Sequence, residues 1–284
     1  MNLKKTIADI IGNRVIKAEP LGNNTTMTLR LYMDDERTFI VKVPKEGEMD
    51  EVDGETLMLE HIQRTTNLPT PGIIHTKPGL LLMEDVGHTD TWITAASEEN
   101  VARHLAELHS APADYCGFEI DTSVHGIHQP NEVSMSWREF FAEKRLRWGA
   151  QLCADCGQMP NRIANRVYSL IDQLGTYIPY DVKPTLLHGD LWKGNILIEH
   201  DQVKAFIDPA LYYGHSEMDL AFLSMFGKVS DRFYDAYREV HPLDKTFAEE
   251  RKWLYLIWPI LINIRLRGKD YVRHLDAMLT KFGV

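Results

Sequence analysis

Three residues pose a chemical question before any fold is considered. The stretch Leu187 to Ile196 reads LHGDLWKGNI, and IDPALYYGH follows from Ile207. An aspartate, Asp190, thus stands ahead of an asparagine, Asn195, and a second aspartate, Asp208. Phosphoryl transfer from a nucleotide asks little covalent chemistry of a protein. Phosphates must be held, Mg2+ placed and the acceptor hydroxyl aimed. Hard cations take oxygen ligands, and Mg2+ is commonly held by one or two carboxylates or amides together with phosphate oxygens. Asp190 has the chemistry to accept or orient the hydroxyl proton, Asn195 can reach a metal, and a short hairpin can return Asp208 to the same ion. Asp and Asn are also turn formers on surface loops, and HGD alone leaves that reading open. The full pattern H-G-D-x-W-x-G-N with I-D-P favours the chemistry.

Such a constellation needs elements on both sides of a nucleotide. Residues 14–43 alternate apolar and polar and are rich in Val, Thr and Ile. This predicts strands at VIKAEPL, TTMTLRLYM and RTFIVKV, separated by Gly22-Asn23-Asn24 and Asp34-Asp35-Glu36. From Glu48 to Thr66 the period becomes helical, with Val52, Leu59 and Ile62 on one side, until Leu68-Pro69-Thr70-Pro71-Gly72 stops it. GIIHT and LLLMEDV read as two more strands. Beyond Val86 helices are expected over 97–110, 134–152, 160–177, 216–226, 230–239, 247–267 and 269–282. The only later strands expected are short ones around 185–188, 195–199 and 203–207. The fold class is therefore α+β, with a small β-rich lobe over 1–86 and a larger, mainly helical lobe over 87–284.

A length of 284 residues exceeds the usual single compact core, in keeping with two coupled lobes. The formal charge of −10 argues against nucleic acid as a main partner, because phosphate backbones need clustered Lys and Arg. A nucleotide is not excluded, since a few placed cations and a metal suffice. No charge-free apolar run is long enough to span a membrane, and MNLKKTIADIIG reads as a short amphipathic helix interrupted by Asp9. Three cysteines, an odd number, suit a reducing cytoplasm better than a disulfide framework. Cys153 and Cys156 form a C-x-x-C without a second pair, so zinc is not expected there. His125 and His128, in HGIH, read as loop residues rather than metal ligands.

The run H-G-D-L-W-x-G-N followed by D-P-A-x-Y-Y-G-H-x-E-x-D resembles the fructosamine kinases (ketosamine 3-kinases). By eye the likeness covers nearly the whole chain and is most specific from Leu187 to Leu220. It implies a bilobal protein-kinase-like fold, shared with aminoglycoside phosphotransferases and choline kinases. It also implies transfer from ATP, with Mg2+, to the sugar 3-hydroxyl of a ketoamine, either a free metabolite or a glycated lysine. On the resemblance, Asp190 corresponds to the catalytic aspartate, and Asn195 and Asp208 to the metal ligands. Asp219 corresponds to an aspartate that braces the catalytic loop; a helix-start carboxylate set against the macrodipole reads equally well. Lys42, closing Ile40-Val41-Lys42, takes the place of the lysine that pairs nucleotide phosphates, with Glu55 as its helix partner and Glu51 and Glu60 as rivals.

Gly22, Asn23 and Asn24 stand where relatives often carry several glycines, and a phosphate-contacting turn and a plain hairpin both remain open. Glu84 and Val86 resemble the hinge whose main chain meets adenine. Trp192, Tyr213 and His215 are candidates for substrate contact, with structural packing as the alternative. Asn263 falls where relatives often carry a histidine. HGD in place of HRD removes the arginine that reads a phosphorylated activation loop. Glu217 begins an expected helix only nine residues after Asp208, leaving no room for a long activation segment. The expected acceptor is therefore a small molecule, or a small adduct on a protein side chain. A kinase for another hydroxyl, as in an aminoglycoside or choline-like amine, and a nucleotide-binding pseudokinase remain alternatives. Oligomeric state is open.

Overall fold

The computed structural model describes residues 3–22, 26–45, 51–87 and 94–284. The N-terminal unit contains α1 (Leu3–Ile11), β1 (Val15–Pro20), β2 (Thr26–Met33), β3 (Thr38–Pro44), α2 (Val52–Thr65), β4 (Ile73–Lys77) and β5 (Leu80–Glu84). Its strands make one antiparallel sheet in the order β1-β2-β3-β5-β4. Alternation along β3 decides what each face does. Phe39, Val41 and Val43 join Leu31, Met33, Leu80 and Leu82 on the face covered by Ile7 of α1. Ile40 and Lys42 take the opposite face, where Val52 and Leu59 of α2 pack on Leu81 and Met83. The strand period thus aims Lys42 at α2 and at the second unit.

That unit opens with α3 (Ala95–Leu108), whose N-cap Thr94 accepts a hydrogen bond from the Ser97 amide. A hairpin follows, β6 (Thr122–Val124) and β7 (Ile127–Gln129). Next comes a helix built of α4 (Trp137–Phe140), a π-helical stretch (Phe141–Arg147) and α5 (Trp148–Asp155). Then come α6 (Asn161–Ile171), α7 (Leu174–Tyr177), β8 (Thr185–Leu187), β9 (Ile196–Glu199), β10 (Gln202–Phe206), β11 (Tyr212–Gly214), α8 (Glu217–Leu223) and α9 (Asp231–Arg238). The chain closes with α10 (Lys252–Tyr255), α11 (Ile257–Arg267) and α12 (Asp270–Lys281) around a core that includes Phe140, Phe141, Leu146, Tyr255 and Trp258. The arrangement is the expected α+β one, a β-rich unit ahead of a helical one.

Two expectations about the helical unit need correction. Three further strands exist beyond Val86: the β6–β7 hairpin and β11. Each is three residues long, too short for a period-two pattern to register. His125 and Gly126 turn the hairpin with φ of 51° and 78°, the backbone that tight hairpin turns require. The helix expected over 247–267 is broken into a π-helical turn (Phe247–Arg251), α10 and α11. Among the described residues no helix is long and apolar enough to cross a membrane.

Candidate active site

A cavity of about 630 Å3 opens between the two units. Gly22, Lys42, Met83, Glu84 and Val86 line it from the sheet, Glu55 and Met58 from α2, and Asp190, Trp192, Asn195 and Asp208 from the helical unit. Backbone constraints hold the last group in place. β8 pairs with β11, Leu187 opposite Tyr212, and leads into Gly189 at φ 81°. A Cβ on Gly189 would lie 1.9 Å from the Ala210 carbonyl oxygen, so only glycine fits. Buried Asp219 accepts hydrogen bonds from the His188 and Gly189 amides at 2.7 and 3.0 Å. It therefore clasps the loop backbone, although it also sits in the first turn of α8. His109 reaches the same carboxylate at 3.2 Å and Tyr237 at 2.7 Å.

A 3-10 turn over Lys193–Asn195 folds Asn195 back, and its amide donates to the Asp190 carbonyl at 2.9 Å and to Asp190 Oδ2 at 3.2 Å. The β9–β10 hairpin then returns the chain, with the Ile207 amide donating to the Asn195 carbonyl at 3.0 Å. Asp208 follows at φ 53°, a left-handed backbone that a non-glycine residue adopts only when its surroundings enforce it. Asp190, Asn195 and Asp208 are thereby brought together.

Asp190 is only 4% exposed, and its Oδ1 has no hydrogen-bond partner among the described residues. Burial, reinforced by the charge of Asp208 and partly offset by the Asn195 hydrogen bond, pushes its carboxyl up to about 7. Lys42 Nζ lies 2.6 Å from Glu55 Oε1 and is also bonded to Asp208. Burial pulls the ammonium down, but the charges of Asp208 and Glu55 outweigh it, so Lys42 is held as a cation. Burial works to raise Asp208, and Lys42 overcomes it, keeping that carboxyl below its ordinary value. Of the three glutamates considered for Lys42, Glu55 makes the bond; Glu51 lines the cavity and Glu60 is exposed on α2.

Gly22 meets the cavity at φ 69°, while Asn23 and Asn24 lie outside the described residues. The Trp192 ring stands edge-on to Phe226 at 5.9 Å and packs over Gly194, where a Cβ would come within 2.4 Å of it. Tyr213 and His215 are not among the lining residues, which corrects their reading as substrate contacts. Pairing of β11 with β8 puts them in a layer behind the loop. There Tyr213 Oη meets His61 Nε2 at 3.0 Å, and His215 Nδ1 meets Tyr255 Oη at 2.7 Å. Sequence reading missed His125 as a cavity residue. The β6–β7 turn carries its Nε2 to 3.7 Å from Asp190 Oδ2, and only the fold reveals that proximity.

A family model described as fructosamine kinase matches residues 4–282. The chain belongs to the fructosamine kinase family. It is, as a fructosamine kinase family member, an ATP-dependent phosphotransferase. It is 31% identical to the chloroplastic protein-ribulosamine 3-kinase of Arabidopsis thaliana, over 91% of this chain and 80% of that one. A protein of Enterococcus faecium provisionally named a ketoamine kinase is 27% identical over 99% of this chain and its own full length. Among solved structures, a proposed fructosamine-3-kinase from Thermobifida fusca superposes with a TM-score of 0.88 at 28% identity, covering 98% of this chain and 97% of that one. An aminoglycoside phosphotransferase solved with gentamicin shares the protein-kinase-like fold, with a TM-score of 0.66 at 13% identity over 98% of this chain and 95% of that one.

Proposed function

We propose that this fructosamine kinase family member transfers the γ-phosphoryl group of ATP to the sugar 3-hydroxyl of a ketoamine, with Asp190 as the group that receives the hydroxyl proton. One observation carries the role of Asp190: a buried carboxylate with an unpartnered Oδ1 and a pKa near 7 faces the cavity beside Lys42, Asn195 and Asp208. A carboxylate of that basicity can take a proton as the hydroxyl oxygen attacks, and Asn195 keeps its Oδ2 oriented meanwhile. The ketoamine acceptor is supported by the names of the relatives from Arabidopsis thaliana and Enterococcus faecium.

Residues 1–86 act as the nucleotide-binding lobe and 87–284 as the catalytic and substrate-binding lobe. Lys42, kept cationic and aimed by Glu55, meets the nucleotide phosphates, and the main chain near Glu84 and Val86 meets adenine. Among the described residues no cluster of three or more His, Cys, Asp or Glu could hold a metal unaided. Asn195 and Asp208 still present an amide and a carboxylate, the hard donors that Mg2+ takes alongside phosphate oxygens. Those two residues would hold Mg2+, which when bound supplies neutralising charge to the transferring phosphoryl group.

The test is ATP consumption with Mg2+ against ribulose-lysine, fructose-lysine, choline and kanamycin, beside the Asp190→Asn variant. Turnover on the ketoamines alone, lost in the variant and on chelating the metal, is the expected result. Turnover on choline or kanamycin alone would replace the ketoamine with another acceptor.

A further inference from the structure

The cations around the cavity are not equivalent. On the nucleotide side Arg30 Nε is ion-paired with Asp85 at 2.7 Å, and Lys42 is held by Glu55 and Asp208. Arg267, the last residue of α11, lines the same cavity, is exposed, and makes no hydrogen bond or ion pair with any described residue. Its location is on the acceptor side. Its charge is felt by His125, whose titration is lowered by burial first, raised by Asp208 and lowered again by Arg267. His125 in turn stands 3.7 Å from Asp190 and 6.3 Å, ring to ring, from Trp192. Leu266 and Phe226, both partly exposed apolar side chains, line the cavity as well.

Resting on the ketoamine reading, we propose that Arg267 binds a carboxylate on the amine portion of the substrate, so that the preferred acceptors are ketoamines of free amino acids. The chemistry of such a molecule matches the wall. Its secondary ammonium suits a cavity in which carboxylates outnumber cations, and its carboxylate would be repelled everywhere except at Arg267. A guanidinium takes a carboxylate through two parallel hydrogen bonds, which fixes orientation as well as adding affinity. Leu266 and Phe226 offer apolar surface to the carbon chain between the two charges. The competing account is that a cation at a helix C-terminus only offsets the macrodipole. That account predicts an effect on stability and none on the choice of substrate.

The experiment compares kcat/KM for two adducts of the same sugar, one with glycine and one with glycinamide, in the wild-type protein and in Arg267→Gln and Arg267→Lys. The wild type should favour the glycine adduct by roughly tenfold to a hundredfold, the size of a charge-assisted hydrogen-bonded pair. Arg267→Gln should bring that ratio close to one, and Arg267→Lys should restore part of it. Equal wild-type values for the two adducts would overturn the proposal while leaving the ketoamine reading intact. So would an equal loss on both adducts in Arg267→Gln, or a change confined to the KM for ATP. No turnover of either adduct by the wild type would overturn the ketoamine reading itself, and this proposal with it.

Discussion

Strands β8 and β11 are hydrogen-bonded neighbours, yet the polar residues that follow them are treated in opposite ways. After β8 the chain leaves Asp190 Oδ1 buried without a partner, raises that carboxyl to about 7 and reaches Asp208 in a left-handed backbone. After β11 the polar groups are saturated. Tyr255 Oη accepts from Trp137 Nε1 at 2.9 Å and donates to His215 Nδ1 at 2.7 Å. Glu217 receives two hydrogen bonds from Arg251, at 2.6 and 2.7 Å. A buried polar network that is fully paired rigidifies its surroundings, whereas one left incomplete is costly unless a ligand completes it. The front layer is therefore read as chemistry and the back layer as the mount that holds it.

The largest effect expected from this contrast is at the front. Asp190→Asn removes the proton acceptor while keeping shape and the potential to bond Asn195. A positioned base contributes about 10²–10⁴-fold to rate, so kcat should fall by about that factor with nucleotide affinity largely retained. Single-turnover rates beside equilibrium binding of ATP would separate the two. A variant within a few-fold of wild type would remove Asp190 from the mechanism.

At the back, loss should show in stability. Arg251→Ala strands the Glu217 carboxylate, only 3% exposed, without its partner. Breaking one side of a buried pair costs about 3–5 kcal/mol, to be read from urea unfolding. Activity per folded molecule should change far less than in Asp190→Asn. If it collapses equally, the division into front and back fails.

That division also explains which parts of the site were legible in the sequence. Asp190, Asn195 and Asp208 were readable because their spacing and types are local and chemical. Lys42 and Glu55 were readable because strand alternation in β3 and the helical period of α2 each fix a facing side chain. Tyr213 and His215 misled because nearness to a catalytic stretch along the chain says nothing of facing, which β11 settles by pairing with β8. His125 and Arg267 carried no signal, since a three-residue strand on either side of a turn and the end of a distant helix meet the cavity only through the fold. For the same reason the long helices stood out, while β6, β7 and β11 did not.

A smaller effect should distinguish the layers by pH. Burial first, helped by the charge of Arg251, lowers His215 from 6.5 to about 3. The unfolded chain therefore binds a proton below about 6.5 that the folded one refuses. The contribution of His215 is present above that pH and is lost as pH falls, by roughly 1.4 kcal/mol per pH unit. His215→Gln cannot titrate, so its stability should fall less than that of the wild type between pH 7 and 5, by about 2 kcal/mol on the same relation. Parallel urea curves at the two pH values check this, and identical slopes against pH would mean that His215 is protonated in the folded protein.

The finest test sets one aromatic of each layer against the other. Trp192 lines the cavity, and its Nε1 donor is buried without a hydrogen-bond partner, so a sugar hydroxyl can complete it. Tyr213 has already spent its hydroxyl on His61, at 3.0 Å. Trp192→Phe keeps a ring and removes only the donor. At about 1 kcal/mol for one neutral hydrogen bond, the KM for the acceptor should rise by roughly fivefold, with the KM for ATP unchanged. Tyr213→Phe removes a bond of similar worth from the back, so the same free energy should appear in the urea midpoint and leave both KM values within about twofold. Reversal of this pair, with Tyr213→Phe weakening the acceptor and Trp192→Phe weakening only the fold, would move the substrate to the other side of β8.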